Sequence, residues 1–196
     1  NIPEVKQEIK LAIRRIKFEE LFLYQLKIKY LLYVRKHFPQ GVSIKYDQEK
    51  VQNFISSLPY ELTTDQKQAV AEILVDIAAP YKMNRLLQGE VGSGKTVVAA
   101  ICLYAVITAG YQGAIMVPTE ILAQQHYQTF LELFQGKDIN IEMLSSSVAT
   151  KDRREILSGL ISKKVDIVIG THALFSKDVE FEKYGTFALG APEFVL

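Results

Sequence analysis

Eight residues, Gly89-Glu90-Val91-Gly92-Ser93-Gly94-Lys95-Thr96, constrain this chain more than any other stretch, because they satisfy the pattern G-x-x-x-x-G-K-[ST]. Glycines let the backbone turn tightly enough for several N–H groups to converge on one phosphate group. A helix that follows such a turn presents its positive N-terminus to the same anion. The apolar pair Leu86-Leu87 precedes the turn and an Ala/Val-rich stretch follows it. The loop is therefore expected to join a buried strand to a helix. Lys95 is placed to reach the outer phosphates of a nucleotide, and the Thr96 hydroxyl is a hard oxygen ligand suited to Mg²⁺.

The surrounding pattern agrees with a strand–loop–helix setting. From Leu58 onward, helical periodicity alternates with short β-branched runs. Helices are expected at Thr64–Ala78, Lys95–Ala109, Glu120–Phe134 and Lys151–Ile161, with strands at Arg85–Gln88, Ala114–Val117, Ile141–Leu144 and Asp166–Ile169. Alternation of this kind implies an α/β fold, a parallel sheet flanked by helices. No internal repeat or low-complexity tract interrupts it.

Residues from about 4 to 36 read as one long helix ahead of that domain. One stripe runs through Val5, Ile9, Ala12, Ile16, Leu23, Leu26, Tyr30 and Tyr33. A second runs through Leu11, Phe18, Leu21, Phe22, Ile28 and Leu32. A helix apolar on two sides needs cover on two sides, so it is expected to lie between neighbouring bodies. It should stop near Pro39 and Gly41, and a polar connector with a short helix at Gln48–Ser57 should follow. The formal net charge is +1, yet residues 1–36 hold nine Lys or Arg against four Glu, which leaves the rest of the chain at −4. The basic start is either a solvated helix face or a phosphate-contacting one. No run approaches the roughly 18 apolar residues that would cross a bilayer, so no membrane partner is expected. Cys102 is the single cysteine. It excludes an internal disulfide and fits a reducing, cytoplasmic setting.

Other segments admit two readings each. Thr63 with Gln66 is a capping box, but Gln66 precedes Gly89 by 23 residues. There its amide, both donor and acceptor, is also suited to reading an adenine edge. Thr119 is a natural N-cap, and a free helix N-terminus with a hydroxyl beside it also suits a nucleic-acid phosphate. Thr171 and His172 follow an apolar run, Ile167-Val168-Ile169, and should reach the carboxyl edge of the sheet, where ligands of open α/β folds gather. His172 is either an ordinary loop histidine or part of that edge.

Taken together, four segments resemble the early motifs of superfamily 2 helicases, in order and spacing. They are Tyr60-Glu61-Leu62-Thr63 with Gln66, the loop Gly89–Thr96, Pro118-Thr119-Glu120-Ile121-Leu122-Ala123-Gln124-Gln125-His126, and Gly170-Thr171-His172-Ala173-Leu174-Phe175. The likeness is strongest to RecG-type helicases, bacterial translocases that remodel branched DNA such as stalled forks and Holliday junctions. Ser93 within the loop favours them over the related transcription-repair coupling translocases. The stretch Arg14-Arg15-Ile16-Lys17-Phe18-Glu19-Glu20-Leu21 also looks like the helix that joins their wedge domain to their motor.

The resemblance covers about residues 10–182. It implies a RecA-like P-loop domain at 59–196, preceded by a linker helix and connector at 1–58. It further implies ATP and Mg²⁺ as cofactors, nucleotide contacts at Gln66, Gly89, Glu90, Val91, Gly92, Ser93, Gly94, Lys95 and Thr96, and a chemical role for Lys95 and Thr96. DNA contacts are implied at Thr119, Thr171 and His172. The partners implied are branched DNA and, within a longer parent chain, a wedge domain and a second motor domain.

One departure stands beside this. The family carries an apolar strand ending in Asp-Glu-x-His soon after the Phe175 region, and here Tyr184-Gly185-Thr186-Phe187-Ala188-Leu189-Gly190-Ala191 contains no such pair. The tail from about 184 does not look like the family. Two other classes of function remain in play, a different P-loop ATPase or small-molecule kinase, and a non-catalytic nucleotide-binding module. Two threonines at successive strand ends favour a polymer track over a kinase's acceptor pocket.

Overall fold

A computed structural model describes the backbone of residues 2–37, 41–182, 184–190 and 194–195, and the side chains of residues 5–34 and 41–182. The chain forms two compact units, residues 1–41 with 80–82, and residues 42–79 with 83–196.

The first unit is built on helix α1, Ile2–His37. Both apolar stripes are on its surface: Val5, Ile9, Ile16 and Leu23 of one, and Leu11, Phe18, Leu21 and Phe22 of the other, are all exposed. Phe18 and Phe22, one turn apart, stack with their ring centroids at 6.1 Å. Arg15 pairs with Glu19 one turn on, 2.9 Å, at the solvent-facing surface, where such a pair contributes only about 0.3–0.5 kcal/mol. The expected stop at Pro39 falls outside the described residues.

In the second unit, α2 (Gln48–Ser56) and α3 (Thr64–Ala78) precede strand β1 (Leu86–Leu87) and helix α4 (Lys95–Thr108). Then β2 (Gln112–Met116), α5 (Glu120–Leu133), β3 (Ile141–Leu144), α6 (Thr150–Ile161) and β4 (Ile167–Gly170) alternate. A short 3₁₀ turn at His172–Phe175 follows, then β5 (Tyr184–Gly190) and β6 (Phe194–Val195). The sheet order is β1-β6-β5-β2-β4-β3. Strands β5, β2, β4 and β3 are mutually parallel, with Met116 opposite Gly170 and Leu144 opposite Gly170. The sheet is flanked by helices on both faces. Helices α2 to α5 cover one face, where Ile115, Ile167 and Ile169 share a core with α4, and α6 covers the other through Ile156 and Leu160. Nine residues of α4 are buried, from Val97 to Val106, which makes it the central helix: its sequence is apolar all round because it is covered all round.

The sheet is mixed at one end: β6 runs antiparallel to both β5 and β1. Two reversals leave β1 running in the same direction as β2. Strand β2 also begins two residues before the expected Ala114. The polar Gln112 can be buried there because its Nε2 donates to the carbonyls of Leu160, 2.9 Å, and Val165, 2.7 Å, so no unsatisfied group enters the sheet. Connector helix α2 joins the same core: Phe54, fully buried, stacks on Phe134 and tilts against Tyr104, with centroids at 5.1 and 4.7 Å.

Candidate functional site

Because β1, β2, β3 and β4 all run one way, the turns that follow them gather on one edge of the sheet. The loop after β1 is Gly89–Thr96. Its turn is closed by the Ser93 N–H on the Glu90 carbonyl, 3.1 Å. Gly92 and Gly94 adopt φ of 84° and 78°, the left-handed region that favours glycine. Gly94 is also the N-cap of α4, with no side-chain cap hydrogen bond and no acidic residue in the first turn. The first N–H groups of α4 therefore meet neither a capping side chain nor a competing carboxylate, and the helix's positive end opens toward the loop. Lys95 donates to the carbonyls of Gly89, 2.7 Å, and Glu90, 2.9 Å, and so lies across the loop's mouth. Thr96, half-buried, occupies the first turn. Val91 stands at the apex, 96% exposed.

Gln66 reaches this loop from α3. Its Oε1 accepts from the Thr63 N–H, 2.9 Å, while the Thr63 hydroxyl accepts from the Gln66 N–H, 3.2 Å, which completes the capping box. Its Nε2 donates to the Ser93 carbonyl, 2.8 Å. A Cβ on Gly94 would collide with that same Nε2.

These residues fit a nucleotide's phosphates: a glycine turn, an uncapped helix start and a mobile cation converge on one point. For a divalent metal they offer less. Thr96 supplies one hydroxyl, and no group of three or more His, Cys, Asp or Glu could hold an ion among the described residues.

Along the edge from this loop, Thr119 caps α5 through its hydroxyl, which accepts from the Leu122 N–H at 3.3 Å. Thr171 is the N-cap of the 3₁₀ turn with no side-chain cap bond, and His172 beside it is exposed. The register of β2 on β4 brings these two turns to neighbouring strand ends, as their sequence positions imply. On the other side of β4, Gly170 allows close packing against β3, since a Cβ there would strike the Leu144 carbonyl. His126 is half-buried on α5, and burial pushes its imidazole pKa down.

Two features of this edge escaped the sequence reading. Glu120, next to Thr119, accepts from the Ser146 hydroxyl, 3.0 Å, and the Ser147 N–H, 3.1 Å. Those hydrogen bonds, Ser146's foremost, hold its carboxyl below the usual range. The turn after β3, Ser145-Ser146-Ser147, is thereby tied to the turn after β2. The available signal was three serines directly after an apolar strand end at Leu144. The second feature is Arg153 of α6, which binds the Ser176 hydroxyl and the Asp178 carboxylate, each at 2.8 Å, and so holds the segment after the 3₁₀ turn.

Comparison with known proteins places this arrangement. Residues 63–190 match the family model described as DEAD/DEAH box helicase. The ATP-dependent DNA helicase RecG of Bacillus subtilis (strain 168) is 48% identical over 180 residues, which is 92% of this chain and 26% of that protein. RecG of Staphylococcus epidermidis (strain ATCC 12228 / FDA PCI 1200) is 50% identical over 183 residues, 93% of this chain and 27% of the relative. The chain thus spans about a quarter of the length of the curated relatives it matches. Among solved structures, that of RecG bound to a three-way DNA junction matches at a TM-score of 0.80 and 43% identity, covering 86% of this chain and 23% of the other. The UvsW helicase of bacteriophage T4, at 19% identity and a TM-score of 0.52 over 74% of this chain and 50% of its own, shares the fold alone. A glycine-rich loop at the carboxyl edge of a parallel sheet and a family match over residues 63–190 lead to one conclusion: the chain belongs to the DEAD/DEAH box helicase family.

Proposed function

We propose that the parent of this chain is an ATP-dependent DNA helicase or translocase acting on branched DNA, such as stalled forks and Holliday junctions, in recombination and repair. This chain is its ATP-binding motor part. Residues 59–196 supply the first motor domain. Residues 1–58 link it to a wedge domain, and a second motor domain faces the nucleotide from the other side. The observation that carries this reading is the placement of the Gly89–Thr96 loop and the Thr119 and Thr171 turns on one edge of one sheet. The names of the relatives and the junction-bound structure support the choice of substrate. A bacterial cytoplasmic setting accompanies it. Among the described residues, no helix is long and apolar enough to cross a membrane.

In this reading Gly89, Glu90, Val91, Gly92, Ser93 and Gly94 wrap the phosphates with backbone N–H groups. Lys95 leaves its two carbonyl partners for the outer phosphates, and Gln66 reads the adenine edge from its position against Ser93. Thr96 would be this chain's ligand for Mg²⁺, which when bound would supply charge neutralisation at the phosphates. Thr119, Thr171 and His172 hold the DNA backbone, so that strand grip and nucleotide state meet on the same sheet edge. Contacts to phosphate fix position and carry no sequence information, as suits a motor that must move along any sequence.

ATP turnover by the full-length parent, with and without forked DNA, tests the proposal. Branched DNA should stimulate turnover, and Lys95→Ala should abolish it while leaving the circular dichroism spectrum intact. Thr119→Val with Thr171→Val should lower the stimulated rate by a larger factor than the DNA-free rate. Equal turnover with and without DNA, or unchanged turnover in Lys95→Ala, would refute the reading.

A further inference from the structure

The groove beside β3 is used by neither the nucleotide loop nor the carboxyl edge. Strand β3 is the last strand of the sheet, and among the described residues nothing pairs with its outer side. Its inner side is fixed by β4: the Asn140 carbonyl accepts from the Asp166 and Ile167 N–H groups, and the Leu144 carbonyl from the Thr171 N–H. Backbone groups alternate along a strand, so Glu142 faces β4 as well. The N–H and C=O groups of Ile141 and Met143 then point outward.

The side chains alternate too. Ile141 and Met143 pack into the core shared with α5, and Leu144 packs into the core under α6, which places Glu142 on the α6 face. Helices α5 and α6 wall a groove of about 760 Å³ along this edge. On its α6 side three carboxylates, Glu142, Asp152 and Glu155, line it together with one cation, Lys164. On its α5 side stand Tyr127 and Met143. Burial raises the Glu142 carboxyl, and burial with the Glu142 charge raises the Tyr127 hydroxyl. A cation brought here would thus meet a partly desolvated carboxylate, where attraction is stronger than at an open surface.

A short strand carrying one charge is an ordinary guard against edge-to-edge pairing. It needs no further carboxylates from a second element, and α6 provides two. We propose that the groove receives an extended peptide segment of a partner protein, added as a strand beside β3. Lys or Arg at alternate positions would lie over Glu142, Asp152 and Glu155, with apolar residues between them over Tyr127 and Met143. Backbone pairing to Ile141 and Met143 supplies the affinity in such strand addition, and the alternating side chains supply the specificity. The proposal does not depend on the nucleotide reading.

The test uses the purified 196-residue chain and a capped octapeptide of alternating Lys and Val, followed by NMR titration and amide exchange. The peptide should bind, and the Ile141 and Met143 amides should gain protection. A Glu/Val octapeptide should not bind. The combined variant Glu142→Gln, Asp152→Asn, Glu155→Gln, near-isosteric changes at one half-buried and two exposed positions, should weaken binding about tenfold or more. No binding, or binding that survives the triple variant, would overturn the proposal. So would equal binding of a Lys/Val peptide with N-methylated backbone, which shows charge attraction without strand pairing. Protection of the same two amides by rising protein concentration alone would assign the edge to a second copy of the chain and overturn it equally.

Discussion

The Gln66 side chain directs its oxygen to the Thr63 N–H, 2.9 Å, and its nitrogen to the Ser93 carbonyl, 2.8 Å. One amide therefore completes the capping box of α3 and holds the Gly89–Thr96 loop, and the two duties can be separated by substitution. Gln66→Ala removes both, though the Thr63 hydroxyl keeps its bond to the residue 66 N–H, so the lost half of the capping box should cost about 1 kcal/mol at most. Gln66→Glu keeps an acceptor for Thr63 but turns a donor into a carboxylate facing a carbonyl, so it should disturb the loop more than the helix. If Gln66 also reads adenine in the parent, Gln66→Ala should lower the ratio of ATP-supported to GTP-supported turnover. Thermal melting and that ratio are the two measurements, and an unchanged ratio would leave the residue with a structural role only. The cap was legible in the sequence because its partners are three residues apart. The tie to Ser93 spans 27 positions, and no local pattern records a contact that only the packing of α3 beside the loop creates. The turn that carries Lys95 and Thr96 was legible for the opposite reason, since it is contained in eight consecutive residues.

At the level of elements, segments with a clear apolar pattern fell where expected: helix α3 at Thr64–Ala78 and strand β3 at Ile141–Leu144 match the sequence reading residue for residue. Strands β5 and β6 did not announce themselves, because Tyr184–Gly190 lies in a stretch that departs from the family pattern. Its pairing with β2 is a long-range event. The edge that presents Thr171 and His172 has its own fastening in Arg153 and Asp178, likewise invisible in the sequence at 25 residues' separation. The Ser176 hydroxyl, and after it the Arg153 guanidinium, hold the Asp178 carboxyl down from 3.8 to about 2. A carboxyl depressed in the folded state contributes stability that is present above its unfolded value and is lost as pH falls through the folded one. Asp178→Asn should therefore lower the melting temperature near neutral pH, and the deficit should shrink as pH falls from about 4 to about 2. Thermal melts of both proteins across that range check it. A deficit constant with pH would mean that the carboxylate's charge is not what fastens the segment.

For the molecule as a whole, the question is whether this chain can turn over ATP. Phosphoryl transfer is catalysed almost wholly by positioning and by neutralising charge on the transferring group, and an arginine finger alone is worth about 10³–10⁵ in rate. The described residues of the proposed site are a glycine turn, a lysine and one threonine hydroxyl, and no carboxylate cluster able to hold an ion occurs among the described residues. The sequence after Phe175 contains no adjacent acidic pair that could fill that role. The described side chains with resolved ion pairs also place no arginine at the loop: Arg85 is held by Glu72 and Asp76, and Arg153 by Asp178. If Gly89–Thr96 is the nucleotide site, the 196-residue chain should therefore bind ATP weakly and hydrolyse it near the background rate, with or without forked DNA. Nucleotide binding measured by calorimetry should be weakened by Lys95→Ala, which separates a working cradle from missing chemistry. Turnover by this chain well above background, and lost in Lys95→Ala, would mean that a metal ligand and a charge-stabilising group exist here among residues to which neither sequence nor geometry assigns that role.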